Sequence, residues 1–246
     1  MNHHNPNIQR VQQAETFLQF TQSLDDVYVL LNQLSSDVLD MYPHIACRTQ
    51  CNTCCKGPSA PAVTPSEWEK VHEYVWQYYT EAQRQALVER VTKSYNAHRE
   101  AYWQVHDIIQ ETGNLEKLEK FKKILPELSE TQCPFLVNET CSIYMSRPAK
   151  CRAHGAFLFR LQEHVQLHAC TSEVEKMEAY LAQQGSRNVT IPFWNPFEER
   201  IMEKFNDAGA VATLLPLWLA THIKNGELDD IPNLAPDFES YREVLL

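Results

Sequence analysis

The sequence predicts a mainly α-helical fold: a helical domain with two long heptad-patterned helices and a small β-hairpin cysteine module. Three observations predict it. Apolar residues alternate at three- and four-residue spacing over two long stretches, and capping sequences stand in front of helical patterns. Only 6 glycines occur in 246 residues, which argues against an all-β fold or a glycine-rich nucleotide cradle.

The first seam is Phe17, Phe20, Leu24, Val27, Leu31, Leu34 and Val38, so one long helix is expected over about residues 8–40, ended by Pro43. Thr64-Pro65-Ser66-Glu67 joins a capping box to a proline at the first helical position. The helix behind it should bury Trp68, Val71, Val75 and Tyr78. Thr80 to Gln83 is a second capping box, and its helix carries the second seam: Val88, Val91, Tyr95, His98, Tyr102, Val105 and Ile109. Two equal seams are expected to pack on each other near a crossing angle of about +20°. Gly113-Asn114 should break that helix, with a shorter one from Leu115 to Leu125 before Pro126.

The pattern then changes. Residues 134–144 read as a hairpin turning at Asn138-Glu139-Thr140, and residues 156–168 as a second one turning at Gln162-Glu163. Helices are expected over Thr171 to Gln184, with Gly185 closing it, over 196–206, and over 208–224, stopped by Asn225-Gly226. From Asp229 the chain is acidic and proline-broken, the pattern of an extended strap. A single domain over 1–246 is expected, with the cysteine module at about 44–170 and the helices of 171–246 packed on it.

The net charge of −10 argues against nucleic-acid binding, which needs a basic footprint. No apolar run reaches membrane-span length, and Met1-Asn2-His3-His4-Asn5-Pro6 does not open a secretory signal, so a cytoplasmic protein is expected. A protein partner stays open.

The eight cysteines carry the chemistry. Cys47, Cys51, Cys54 and Cys55 fall in nine residues as C-x3-C-x2-C-C, and Cys133, Cys141, Cys151 and Cys170 follow. In a reducing compartment such a group points to metal or catalysis ahead of disulfides or inert buried thiols. Thiolates take zinc or iron–sulfur clusters. Cys51 and Cys54 form a natural chelating pair, and Cys47 can add a third sulfur. The neighbours Cys54 and Cys55 should diverge, one of them facing a second site or the core. Arg147 and Arg152 bracket Cys151, where guanidiniums would offset thiolate charge and donate to sulfur; salt bridges to carboxylates are an equal reading. Cys151-x2-His154 and His168-x-Cys170 have ligand-compatible spacing, but enough cysteines are present without the histidines. His98 reads as a neutral core histidine, and Tyr74, Trp76, Tyr78 and Tyr79 as core aromatics. No nucleophile elbow, P-loop, Rossmann glycines, HExxH or paired carboxylates occur. Cys47, Cys51 and Cys54 match the radical-enzyme spacing, but a helix precedes them and no barrel pattern surrounds them.

Cys47 to Cys55 resembles the cysteine cluster of the YkgJ-type CxxCxxCC family, with a first gap of three residues where the family name implies two. Cys133-Pro134-Phe135-Leu136, Cys141-Ser142-Ile143-Tyr144 and Arg147-Pro148-Ala149-Lys150-Cys151-Arg152 carry the specific part of that resemblance, and Cys170 falls where a last family cysteine follows. The resemblance spans about residues 44–170 and implies zinc or iron chelation, not a reaction. A similar cluster accompanies flagellin lysine N-methylases, which keeps a protein-modifying enzyme in view and tilts the metal towards iron. Three functions are therefore weighed: a metal-cluster protein in an electron-transfer, metal-handling or accessory role, an enzyme related to those methylases, and a structural zinc module. All eight cysteines are candidate metal ligands and are expected to converge in space, four of them holding a cluster and the others serving as neighbouring thiols or a second site. An iron–sulfur cluster is favoured over zinc, because zinc sites typically use two C-x2-C knuckles and this chain has one.

Overall fold

The computed structural model describes residues 5–45, 47, 51–57, 60–111, 114–161, 163–185 and 189–246. The expected break at Gly113, the turn residue Gln162 and the spacer 48–50 lie outside them. The protein is mainly α-helical, and among the described residues its strands form two-stranded antiparallel pairs.

The expected first helix is three: α1 (Pro6–Gln12), α2 (Ala14–Gln19) and α3 (Leu24–Met41). The Asp26 carboxylate takes the Gln22 and Ser23 N–H groups at 2.8 and 2.9 Å, and the Ser23 hydroxyl takes that of Asp26. This capping box starts α3 afresh and breaks the seam. Phe20 is 72% exposed as a result, while Leu24, Val27, Leu31, Leu34 and Val38 are buried. β1 (Ala62–Val63) precedes α4 (Pro65–Tyr78), which starts at the expected Thr64 box and proline. Trp68, Val71 and Val75 are buried, but Tyr78, in the last turn, is exposed.

From the Thr80 box, α5 (Glu81–Gln110) runs through a kink at His98, where φ is −126°. His98 is thus a half-buried residue at a bend, edge-on to Tyr102, and not a core histidine. α6 (Asn114–Leu128) continues past Pro126, because its closing bond, Ser129 N–H to the Leu125 carbonyl, needs no donor from the proline.

β2 (Leu136–Val137) and β3 (Thr140–Cys141) form the expected first hairpin, with Asn138 and Glu139 at φ 49° and 60° in its turn. α7 (Ala149–Ala153) leads to the second, β4 (Leu158–Leu161) with β5 (His164–Leu167). α8 (Thr171–Gln184) ends at a left-handed Gly185 as expected, and α9 (Asn195–Lys204) follows. The expected helix over 208–224 shrinks to α10 (Leu215–Thr221). Its start is taken by β6 (Thr213–Leu214), which pairs with β1, and its end by β7 (Ile223–Lys224), which pairs with β8 (Glu227–Leu228). Asn225 and Gly226, at φ 53° and 78°, make the tight hairpin turn for which such a pair is suited.

The chain divides into two compact units: Met1–Cys51 with Ala149–Phe205, and Asn52–Pro148 with Asn206–Leu246. In the first, α3 packs on α1 and α7. Arg10 makes a two-pronged pair with the buried Asp37 at 2.7 Å. The Ser35 hydroxyl bonds the Arg152 carbonyl at 2.8 Å, which seats α7 on α3. In the second unit, α5 packs on α6 and α10 around Trp68, Tyr95, Tyr102, Phe135 and Trp218. Each long seam therefore finds apolar cover inside its own unit, which corrects the expectation that the two cover each other.

Candidate metal centre

The division of the chain also divides the thiols. Cys47, Cys51, Cys151 and Cys170 belong to the first unit, and Cys54, Cys55, Cys133 and Cys141 to the second; none of the eight is in a disulfide.

In the second unit, a 3-10 turn over Thr53–Cys55 presents Cys54 and Cys55. The strip that follows is laced to residues 131–133. Cys133 N–H bonds the Cys55 carbonyl at 2.8 Å, Lys56 bridges Gln132, and Gly57 N–H bonds the Thr131 carbonyl at 2.7 Å. Cys141 sits on β3 opposite Leu136. The Cys55 thiol is hydrogen-bonded to those of Cys133 and Cys54 and feels the charge of Cys141. The bond with Cys133, and burial, push it up to about 12. The tight turn thus brings both neighbours into one thiol group, contrary to the expectation that they diverge. Burial also raises the Cys141 thiol, which Arg147 partly offsets.

The signature residues have structural work in this arrangement. Phe135 and Ile143 are core anchors, and Arg90 holds the Pro134 carbonyl at 2.8 Å. Ser142 closes the hairpin by bonding the Phe135 carbonyl through its N–H (2.9 Å) and hydroxyl (2.8 Å), and the Tyr79 hydroxyl donates to Ser142. At the hairpin tip the Glu139 carboxylate takes the Asn52 amide at 2.6 Å and the Lys56 ammonium at 2.5 Å, tying the tip to the cysteine turn. Arg147 stacks on Tyr144 at 4.1 Å and partly offsets the burial that raises the Cys141 thiol.

In the first unit, Cys47 lies against Gly155, whose φ is +86°; a Cβ there would run into the Cys47 side chain. Cys170 is the residue before α8, with its thiol 3.4 Å from the Ser172 hydroxyl and its carbonyl taken by Glu173 and Val174 N–H groups. Lys176, in the first turns of α8, pairs with the buried Glu173 at 2.5 Å and feels both Cys170 and Cys47. Cys151 is carried by α7, whereas Cys51 is exposed. Arg152, by contrast with Arg147, stacks on Tyr28 at 4.1 Å and donates to Asn32 at 3.1 Å.

This unit also holds histidines. His154 and His168 stand edge-on at 5.0 Å, and Trp194 stacks on His168. Burial, aided by Lys150, pushes His154 down to about 4 and His168 to about 3, so both are neutral at pH 7.

Elsewhere, among the described residues, one trio of candidate ligand atoms lies within 4.8 Å: His106, Asp107 and Glu239. Arg242 donates to both carboxylates at 2.7–3.1 Å, so a guanidinium already neutralises them. No three thiol sulfurs of described residues stand that close. Sequence reasoning missed Gly155, Arg90 and Glu139. Gly155 was the one with a signal, being one of six glycines and standing four residues after a cysteine.

Fold and site together define a helical protein whose two units each carry a set of thiols suited to a soft metal. The chain matches the model of the CxxCxxCC family, described as "Putative zinc- or iron-chelating domain", over residues 46–179, more than half its length and all eight cysteines. It belongs to that family, and membership supports metal binding. Comparison with curated proteins and with solved structures gave no significant match. Among the described residues, no helix is long and apolar enough to cross a membrane.

Proposed function

We propose that the protein binds an iron–sulfur cluster through cysteine thiolates and works in electron transfer, metal handling or an accessory role in the cytoplasm. The observation that carries this reading is the thiol group of Cys54, Cys55, Cys133 and Cys141, gathered by backbone bonds and signature residues. In this half-buried setting the Cys55 and Cys141 thiols are pushed up and hold their protons. A bound cation would draw those protons off and supply the missing charge balance. Spacing favours a cluster. A single tetrahedral zinc with Zn–S bonds of about 2.3 Å needs sulfurs roughly 3.8 Å apart. The thiols of the described residues form no trio within 4.8 Å, and a cluster, with irons and sulfides of its own, bridges a wider gap. Cysteines outside disulfides suit a reducing compartment.

The test is anaerobic purification followed by metal and acid-labile sulfide analysis. Iron with sulfide and a brown thiolate-to-iron absorbance is expected, and Cys133→Ser should abolish it. Stoichiometric zinc without sulfide would overturn the cluster and keep the cysteine site.

A further inference from the structure

Two thiols of the second unit stand in a relation that metal binding alone does not require. Lys56 and Gln132 form an antiparallel bridge. It is flanked by the bonds of Cys133 N–H to the Cys55 carbonyl (2.8 Å) and Gly57 N–H to the Thr131 carbonyl (2.7 Å). This register sets Cys55 and Cys133 directly opposite each other, one step along the ladder from the bridge. Residues opposed in this way project to the same face, with Cα atoms about 5.5 Å apart in a hydrogen-bonded pair. A disulfide spans Cα separations of about 4.4–6.8 Å, most often about 5.5–6 Å. The side chains agree with the backbone, because the Cys55 thiol is hydrogen-bonded to the Cys133 sulfur.

The other thiols of the unit are placed differently. Cys141 faces Leu136 across its hairpin and has no cysteine opposite it. Cys54 adjoins Cys55 in the 3-10 turn, and consecutive Cα atoms, about 3.8 Å apart, fall below the disulfide range. Cys55 and Cys133 are both half-buried, so a small oxidant can reach them.

We infer that Cys55 and Cys133 are a redox pair that regulates the second unit's thiol set: a hydroperoxide joins them in a disulfide, which withdraws both sulfurs from metal. With hydrogen peroxide the O–O bond breaks, one oxygen passes to the Cys133 sulfur as a sulfenic acid, and water leaves. The Cys55 sulfur then attacks that sulfur. The S–S bond forms, the S–O bond breaks, and the departing hydroxide leaves as a second water with the Cys55 proton. Two thiols and one peroxide thus become one disulfide and two waters. Disulfide sulfurs have lost their thiolate charge, so the set falls from four ligands to two and a metal held there is released. A dithiol reductant reverses the bond by exchange. Disulfides of a reducing compartment are usually transient and of this sensing kind. The closed loop from residue 55 to residue 133 holds α4, α5 and α6. A cross-link over so long a loop restrains the unfolded chain, and it keeps the two cysteine strips tied once metal has gone. The inference rests on the metal-binding reading for its consequence, and not on the choice of an iron–sulfur cluster.

The test treats the full chain, purified anaerobically, with hydrogen peroxide. Remaining thiols are alkylated, and linked peptides are mapped by fragmentation in the mass spectrometer. Iron and zinc are measured before and after, and urea unfolding of the oxidised chain is compared with that of the reduced, metal-stripped chain. A predominant Cys55–Cys133 bond is expected, with metal released in step with it. The oxidised chain should unfold at higher urea than the reduced metal-free chain, and dithiothreitol should restore metal uptake. Predominance of any other pair, or sulfinic acids without a cross-link, would overturn the inference. So would release of metal while Cys55 and Cys133 both remain open to alkylation. A Cys55–Cys133 bond in a chain that never held metal keeps the pair and sinks the metal-binding reading. Metal that stays bound under peroxide, with the two thiols unlinked, sinks the pair alone.

Discussion

The two units hold four cysteines each and treat them differently. In the second, the thiols bond to one another, and the peptide backbone around them is laced from Cys55 to Cys133 and closed by the 136–141 hairpin. In the first, Cys47 lies against a glycine, and Cys47 and Cys170 both act on Lys176. One set is shaped by apolar anchors such as Phe135 and Ile143, the other by close backbone approach and a neighbouring cation. A cysteine pattern by itself therefore does not define a ligand set; the residues that hold each thiol do.

The comparison breaks most sharply through the anchors. Phe135 is fully buried under the Cys133 turn, so Phe135→Ala should cost about 3–5 kcal/mol and empty the second unit's thiol set of metal. Urea unfolding and metal analysis would read both, and wild-type metal content would mean the hairpin does not shape the site. Gly155→Ala probes the first unit. An alanine there adopts a left-handed φ against Cys47, for a loss of roughly 3 kcal/mol with the second unit's set left loaded. Stability within about 0.5 kcal/mol of wild type would show that Cys47 gives way freely.

A pH experiment probes the core of the second unit. His222 is fully buried, accepts from Trp68 Nε1 at 3.1 Å and Asn233 N–H at 2.9 Å, and is pushed by burial down to about 4. Between pH 6.5 and about 4 the unfolded chain binds the proton that the folded chain refuses. Stability is complete above about 6.5 and falls as pH drops, by about 3 kcal/mol from this residue. His222→Gln should remove this residue's share of that slope, leaving the shares of His154 and His168, and an unchanged slope would assign the acid sensitivity to other groups. The smallest effect belongs to the exposed Lys56–Glu139 pair. Lys56→Ala should change stability by at most about 1 kcal/mol, and a larger loss would mean that the hairpin tip is held by this contact.

Where local chemistry decided structure, the sequence was readable. The Thr64 and Thr80 boxes, the Gly185 stop and the Asn138-Glu139 turn all stand where their residues predicted. The cysteine module was readable too, because Phe135, Ile143 and Tyr144 have few other reasons to sit between cysteines. What was lost depended on competition. The Asp26 carboxylate outbid continuation of the first helix, although Ser23-x-x-Asp26 was present to be noticed. Residues 213 and 214 left a helical pattern to pair with 62 and 63, a partner about 150 residues away along the chain that no periodicity announces.

The discontinuity of the first unit sets an order of assembly during synthesis. The Ser35–Arg152 bond that seats α7 on α3 spans 117 residues, so the buried face of Val27, Leu31, Leu34 and Val38 waits for its cover until the chain has passed α7. Residues 52–148 emerge in that interval, and the second unit's four thiols are all present once residue 141 has been made. The first unit's set must wait for Cys170. Nascent α3 is consequently the stretch most in need of shelter from aggregation. Completion of the two cysteine sets is staggered by the translation of about 30 residues, a matter of seconds at ribosomal speed.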